Sequence, residues 1–311
     1  MNRLADILED LAAADAATHH LRQLAATQPL DPVLAVNLDA LLRRRGDLER
    51  QMAALLSAEQ NDLIRIAVTG VDESSAPAAD AARSVALFQR LLTAAFDAIL
   101  TGAPKARYAP SPEAMERSTL HFVRPPSDSH EIHLAIANDY LLAIESDLDR
   151  ALGLVCELLV LRSKVLIREL AQHLGIATVS AAYALFELAA AQRLSISIRW
   201  RKRDHERRKI SVSHADARTM TTIIEAIHDD RMATVEQDCE LLGIDEVGGS
   251  FRIAITGGQV ISGDLTDGFP RGGAWTTRRW YRALLLRASR LGYADGEETV
   301  RWSLTGLVAQ A

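Results

Sequence analysis

The chain has 311 residues, 48% apolar and 24% charged, with 35 Lys+Arg against 41 Asp+Glu. This composition excludes wholesale disorder and is long enough for a core built without staples, and its length gives about two domains, with one to three allowed. Two cysteines exclude a disulfide framework and a four-cysteine zinc site and fit a reducing, cytoplasmic setting. The acidic start MNRLADILED lacks the basic and apolar regions of a secretory signal, and no apolar run approaches 18 residues, so no membrane partner is expected.

Residues 1–60 read as a helical hairpin. Apolar side chains recur at spacings of three and four through Leu4, Ile7, Leu8, Leu11, Ala14, Ala17, Leu21 and Leu24. Pro29 stops the first helix. Asp31-Pro32 starts the second, with Asp as N-cap and Pro at the first helical position. Two helices of about 25 residues reach roughly 37 Å each. Such a pair has one stripe to hide and little core of its own, so 1–60 is expected to bind a second copy, a partner or the rest of the chain.

Residues 61–142 read as a small β-α-β-β domain: a strand over 63–68, a helix over 80–101 ending at Gly102, and a hairpin of Ser118–Arg124 with His130–Ala137. Pairing Arg124 with His130 sets His121 opposite His133. Two facing imidazoles without a third or fourth ligand are no metal site, so none is assigned, and no cofactor is either.

Residues 143–235 form the one net-basic segment; 1–60, 61–142 and 236–311 are each net acidic. Its order is an acidic helix start at Glu145–Asp149, a short helix Val165–Leu174, a turn at Gly175–Ala177, a longer helix Thr178–Gln192, and two strands, Leu194–Trp200 and Arg208–Ser213, around a basic loop. The run Arg168-Glu169-Leu170-Ala171-Gln172-His173-Leu174-Gly175, then Thr178-Val179-Ser180 and the charged hairpin, resembles the winged-helix domain of MarR-type regulators over about 85 residues. That resemblance implies a second helix in the major groove and a wing gripping the backbone. The helix here departs from it: Val179, Tyr183 and Phe186 form one apolar stripe and Ala181, Leu185 and Leu188 another. A helix apolar on most sides is buried on most sides and lacks the Arg, Asn or Gln that read bases. The hairpin is the stronger signal. Arg199, Arg201, Lys202, Arg203, Arg207, Arg208 and Lys209 crowd eleven residues, which suits phosphate contacts that carry no sequence information. The competing reading is a solvated tip, or a tip salt-bridged to acidic helices elsewhere in this net-acidic chain.

Residues 236–311 read as five strands (237–244, 250–256, 259–265, about 279–291 and 299–308), a small barrel of SH3-like or OB-like kind. Arg278, Arg279, Trp280 and Arg282 make a second candidate patch, for nucleic acid or for protein, unless the aromatic residue fills the barrel. No GxSxG, P-loop, GxGxxG or HExxH occurs, and no catalytic residue is assigned. The expectation is therefore an α+β, multi-domain, non-catalytic cytoplasmic regulator or accessory protein. It self-associates and contacts nucleic-acid backbone through the basic wing. The alternative is a protein-interaction adaptor without nucleic acid.

Overall fold

The computed structural model describes residues 2–27, 31–70, 76–123, 131–138, 145–202 and 205–310. The fold is mixed α+β, with an N-terminal helical pair and two sheets. The chain divides into two units, Met1–Ala226 and Ile227–Ala311.

In the first unit, α1 (Asn2–Thr27) and α2 (Pro32–Ala58) run antiparallel, tied by Arg44 to Asp10 at 3.0 Å and Arg45 to Asp15 at 2.7 Å. Asp31 caps α2 as expected, its carboxylate accepting from Val33 N with Pro32 in the first turn. Five strands follow: β1 (Asn61–Thr69), β2 (His121–Val123), β3 (Glu131–Ala137), β4 (Ser195–Lys202) and β5 (His205–Val212). They form one antiparallel sheet in the order β2-β3-β1-β4-β5. The boundary drawn at 142/143 thus falls inside a single sheet, because β1 pairs with β3 on one side and β4 on the other. The intended wing is no free hairpin: its first strand is fully laddered to β1 from Asp62–Lys202 to Thr69–Ser195.

Strand period two sorts the side chains. Ile64, Ile66, Val68, Leu134, Ile136, Ile196, Ile198, Trp200, Ile210 and Val212 are buried on one face. That face meets α3 (Ala78–Thr101) and α5 (Asp147–Leu158). By length and composition α3 is apolar enough to cross a membrane, but here its Phe88, Leu91, Leu92, Ala95 and Phe96 are core. The opposite face, through Leu63, Ala135 and Val123, packs on Leu4, Leu8, Leu11, Leu48, Met52 and Leu56 of the helical pair. The pair's stripe is therefore partly covered by its own chain. The β2–β3 register sets Val123 against His133 and His121 against Ala135, two residues from the expected pairing. His121 is exposed and His133 buried, so the two imidazoles do not face each other; Arg124 and His130 lie outside the described residues.

The remaining helices are α4 (Pro112–Arg117), α6 (Lys164–Leu174), α7 (Ile176–Ala191) and α8 (His214–Glu225). The turn between α6 and α7 shrinks to Gly175, at φ +82°, where a Cβ would meet Lys105 O at 2.4 Å. That carbonyl accepts from Ala177 N. As its sequence implies, α7 is apolar all round and buried, packed among α3, α6 and α8, with Val179, Ala182, Leu185, Phe186 and Ala189 in the core.

The second unit is a closed barrel of β6 (His228–Asp245), β7 (Ser250–Ile255), β8 (Val260–Leu265), β9 (Trp280–Gly292) and β10 (Glu298–Ala309), in the order β10-β8-β7-β6-β9. All pairs are antiparallel except β8 with β10. Five strands match expectation, but β6 starts at His228, so residues 227–235 belong to the barrel rather than to the helical segment. Cys239, Leu241, Phe251, Ile253, Tyr281, Leu285 and Leu304 fill it. At Gly263 a Cβ would lie 2.0 Å from Trp302 O, which is why the parallel closure needs glycine there.

Leu185 and Phe186 are 2% and 1% exposed on different sides of α7. Leu185→Ala and Phe186→Ala should each cost ~2–5 kcal/mol in guanidinium unfolding. An unchanged midpoint for either would place that side of α7 in solvent.

Candidate functional site

The seven basic residues of the β4–β5 region have separate fates. Arg199 and Arg201 point to the helical-pair face of the sheet, because they alternate with the buried Ile198 and Trp200. Lys202 falls on the other face, against α5, with its ammonium 2.5 Å from Asp149 Oδ2 and the two side chains 14% and 0% exposed. Arg207, Arg208 and Lys209 are exposed on the edge strand β5, and among the described residues no carboxylate pairs with them. Arg203 lies outside the described residues. The cations therefore do not project together from a hairpin tip: the strand alternation that builds β4 turns them to opposite sides.

Lys202 belongs to a buried polar network. Asp62, fully buried, accepts from Trp200 Nε1 and from Asn138 Nδ2, each at 2.9 Å. Asn138 also donates to Asp149 Oδ1 at 3.1 Å and accepts from Ser146 Oγ at 2.8 Å. Ser146 and Asp149 form the capping box of α5, so the acidic helix start read from the sequence is also the clamp that fixes α5 to the sheet. Burial pushes the Asp149 carboxyl up, but Lys202, the Ser146 amide and Asn138 outweigh it and hold the group below the ordinary carboxylate range. The network's polar partners all come from the chain itself, and its role is structural.

The helical-pair face is different. There a cleft of about 260 Å³ lies between the helical pair (Leu8, Leu11, Ala12, Asp15, Arg45, Glu49, Met52) and the sheet (Arg65, Glu131, His133, Arg199, Arg201, Glu206). The register puts His133, Arg65, Arg199 and Lys209 in one row across β3, β1, β4 and β5. Glu131 lies 3.5 Å from His133 Nε2, 3.8 Å from Arg199 and 3.9 Å from Arg65. The His133 ring foremost, then Arg199 and Arg65, hold the Glu131 carboxyl below its usual range against the cost of burial. Burial is the main cause that lowers Arg65, with Arg201 and Arg199 adding to it and Glu131 opposing. The sequence flagged Arg199 and Arg201 by type but not Arg65 or His133 as their neighbours, since a 130-residue separation hides the β1–β4 pairing.

On the barrel, Arg278, Arg279 and Trp280 are exposed and consecutive, Trp280 at 46%. Arg282 is held by Asp238 at 3.3 Å, so only the first three remain a patch. The barrel's aromatic filling comes from Tyr281, whose ring meets Trp275, which in turn meets Phe269. Arg287 and Arg290 are likewise engaged, with Glu298 and Asp230. Both cysteines are free and buried, and burial raises each thiol to about 11, which removes them as nucleophiles. Among the described residues no group of three or more His, Cys, Asp or Glu is placed to hold a metal.

No family model, no curated protein and no solved structure matches the chain.

Removing the cation from a buried pair leaves a desolvated carboxylate, so Lys202→Met should cost ~3–5 kcal/mol, while Arg207→Ala should cost under ~0.5. Equal effects in urea unfolding would contradict the burial of Lys202. Because the folded Asp149 carboxyl is depressed, its contribution is complete above the unfolded value of about 3.9 and is lost as pH falls through the lower, folded value. Asp149→Asn should therefore lose more stability at neutral pH than at about pH 3. A pH-independent difference would deny the pairing.

Proposed function

We propose that the protein is a non-catalytic accessory protein that contacts nucleic-acid backbone, with the barrel patch Arg278-Arg279-Trp280 as its leading contact and the β5 edge as an auxiliary one. What carries the reading is the barrel's connectivity. A three-strand meander, β6-β7-β8, is closed by β9 and β10 with β8 parallel to β10, the strand order of OB-type rather than SH3-type barrels. OB barrels bind single strands by combining cations with an exposed aromatic on which bases stack. Arg278 and Arg279 stand free of carboxylates among the described residues, and Trp280 beside them is 46% exposed. Arg207, Arg208 and Lys209 offer three more cations suited to phosphate oxygens. The winged-helix resemblance lends this reading little support. A buried α7 reads no bases, and β4 is a central strand.

Trp280→Ala should weaken binding of a single-stranded oligonucleotide by ~1–3 kcal/mol. Arg278→Ala/Arg279→Ala should flatten the slope of log affinity against log salt by up to ~0.7 per lost contact on a single strand. Fluorescence anisotropy across a salt series measures both. Parental affinity and slope in both variants would hand the protein to the adaptor reading.

One observation favours association through residues 1–60 alongside either function. The half of the helical pair away from the sheet exposes Val33 at 63% and Val36 at 68%, with Leu24 and Leu42 also open. Val33→Ser/Val36→Ser should lower the mass seen by light scattering while leaving the melting temperature unchanged; an unchanged mass would remove this segment as an association surface.

A further inference from the structure

We propose that a second copy of the chain docks along the open edge of β6, joining two barrels through an antiparallel β6–β6 ladder with its two-fold axis at Met232.

One strand of the barrel outruns its neighbours. β6 is 18 residues long, and β9 pairs with it from His228 to Glu240 on one side. On the other side β7 pairs with it only from Cys239 to Asp245. Among the described residues, no strand pairs with that second edge over 228–238. Asp230 through Thr234 are exposed one after another, Met232 at 71%. The backbone phase follows from the Ile227 carbonyl, which accepts from Tyr293 N on the β9 side. Odd-numbered residues therefore turn their N–H and C=O to β9, and even-numbered ones turn theirs to the open edge.

Open edges are normally blunted by a bulge, by Pro or by projecting cations. β10 carries a bulge between Leu304 and Gly306, and β5 carries Arg207, Arg208 and Lys209. Residues 228–238 hold no Pro and no Lys, and their pairing with β9 runs without a bulge. Their acidic side chains are mostly turned back onto the barrel. Asp229 accepts from Tyr293, Asp230 pairs with Arg290, and Asp238 pairs with Arg282. Glu236 has no ion-pair partner among the described residues.

The order of charges along this edge selects a second copy as its occupant. A symmetric pair sets residue i of one copy opposite j of the other, and j opposite i. With the axis at Met232, His228 meets the partner's Glu236 and Asp229 meets the partner's Val235. Asp230 then meets the partner's Thr234, and Arg231 meets the partner's Ala233. No like charges face each other, and Glu236 gains an imidazole beside it. Like charges directly opposite destabilise paired strands, and the neighbouring registers all create them. An axis at Arg231 sets that residue against itself, one at Ala233 sets Asp230 against Glu236, and one at Thr234 sets Asp230 against Asp238. The favoured ladder spans 228–236 and ends before Cys239, where β7 takes the edge. Even-numbered residues face each other throughout, as the phase requires, which gives about ten hydrogen bonds at two per facing pair.

Sedimentation velocity on full-length chains tests this. Because residues 1–60 offer a separate association surface, the background is Val33→Ser/Val36→Ser. That chain should sediment as a dimer. Met232→Lys and Met232→Glu, each added to it, set like charges on the axis and should give monomers. An equimolar mixture of the two should restore the dimer, because opposite charges then face each other. Thr234→Pro removes an N–H that only the second copy uses. It should also give a monomer, with a melting temperature matching that of the Met232 variants; should it unfold, the charge mixture decides. A monomeric background chain at micromolar concentration, a dimer persisting in either charged variant, or a mixture that stays monomeric would each overturn the proposal. Arg278→Ala/Arg279→Ala should dimerise as the background does, so the dimer stands or falls apart from nucleic-acid binding.

Discussion

The ladder between β1 and β4 is the constraint on which the first unit depends. β1 is the middle strand of five, and it is hydrogen-bonded on both edges. Its register with β4 aligns Ile64 with Trp200, Ile66 with Ile198 and Val68 with Ile196, so two apolar faces become one. A slip of one residue would bury Arg199 and Arg201 among those side chains and expose the isoleucines, a change no part of the fold can absorb. The same alignment leaves Arg65 beside Arg199. The apolar pattern that secures one face thereby fixes the charge cluster on the other.

That constraint also explains why a basic run in sequence is not a basic patch in space. Lys202 goes to the core side and stabilises α5 through Asp149; Arg199 and Arg201 go under the helical pair; among the described residues of the run, Arg207, Arg208 and Lys209 stay on the surface of β5. Within the barrel's candidate patch the division is made by an acidic partner instead: Asp238 engages Arg282 and leaves Arg278 and Arg279. In both units the number of cations overstates the surface offered to a polyanion.

Local features were legible in the sequence because local chemistry decides them. The Asp31-Pro32 cap, the Ser146 helix start, the glycine that ends α3 and the buried, all-apolar α7 follow from residues close together in the chain. The five barrel strands were legible too, since Gly pairs and alternation mark them. What was hidden is long-range. The approach of β1 to β4 spans more than a hundred residues, and nothing in either strand names its partner. The β2–β3 register was misjudged by two residues because a shift of two preserves the alternation, so the apolar pattern alone cannot choose between the two pairings of His133. The boundary near 235 failed because β6 begins with His228-Asp229-Asp230, polar residues that read as a helix end; in the barrel Tyr293 donates to Asp229 and Arg290 pairs with Asp230.

Whether β4 is a central strand or half of a free wing is the point at which this account is most exposed. Amide hydrogen exchange followed by mass spectrometry measures it directly. The account predicts that peptides covering 195–202 exchange as slowly as those covering 61–69, because both sets of amides lie within one sheet and open together. Fast exchange over 195–202 beside slow exchange over 61–69 would detach β4 from the sheet and restore the projecting wing, and it would take Arg199 and Arg201 out from under the helical pair.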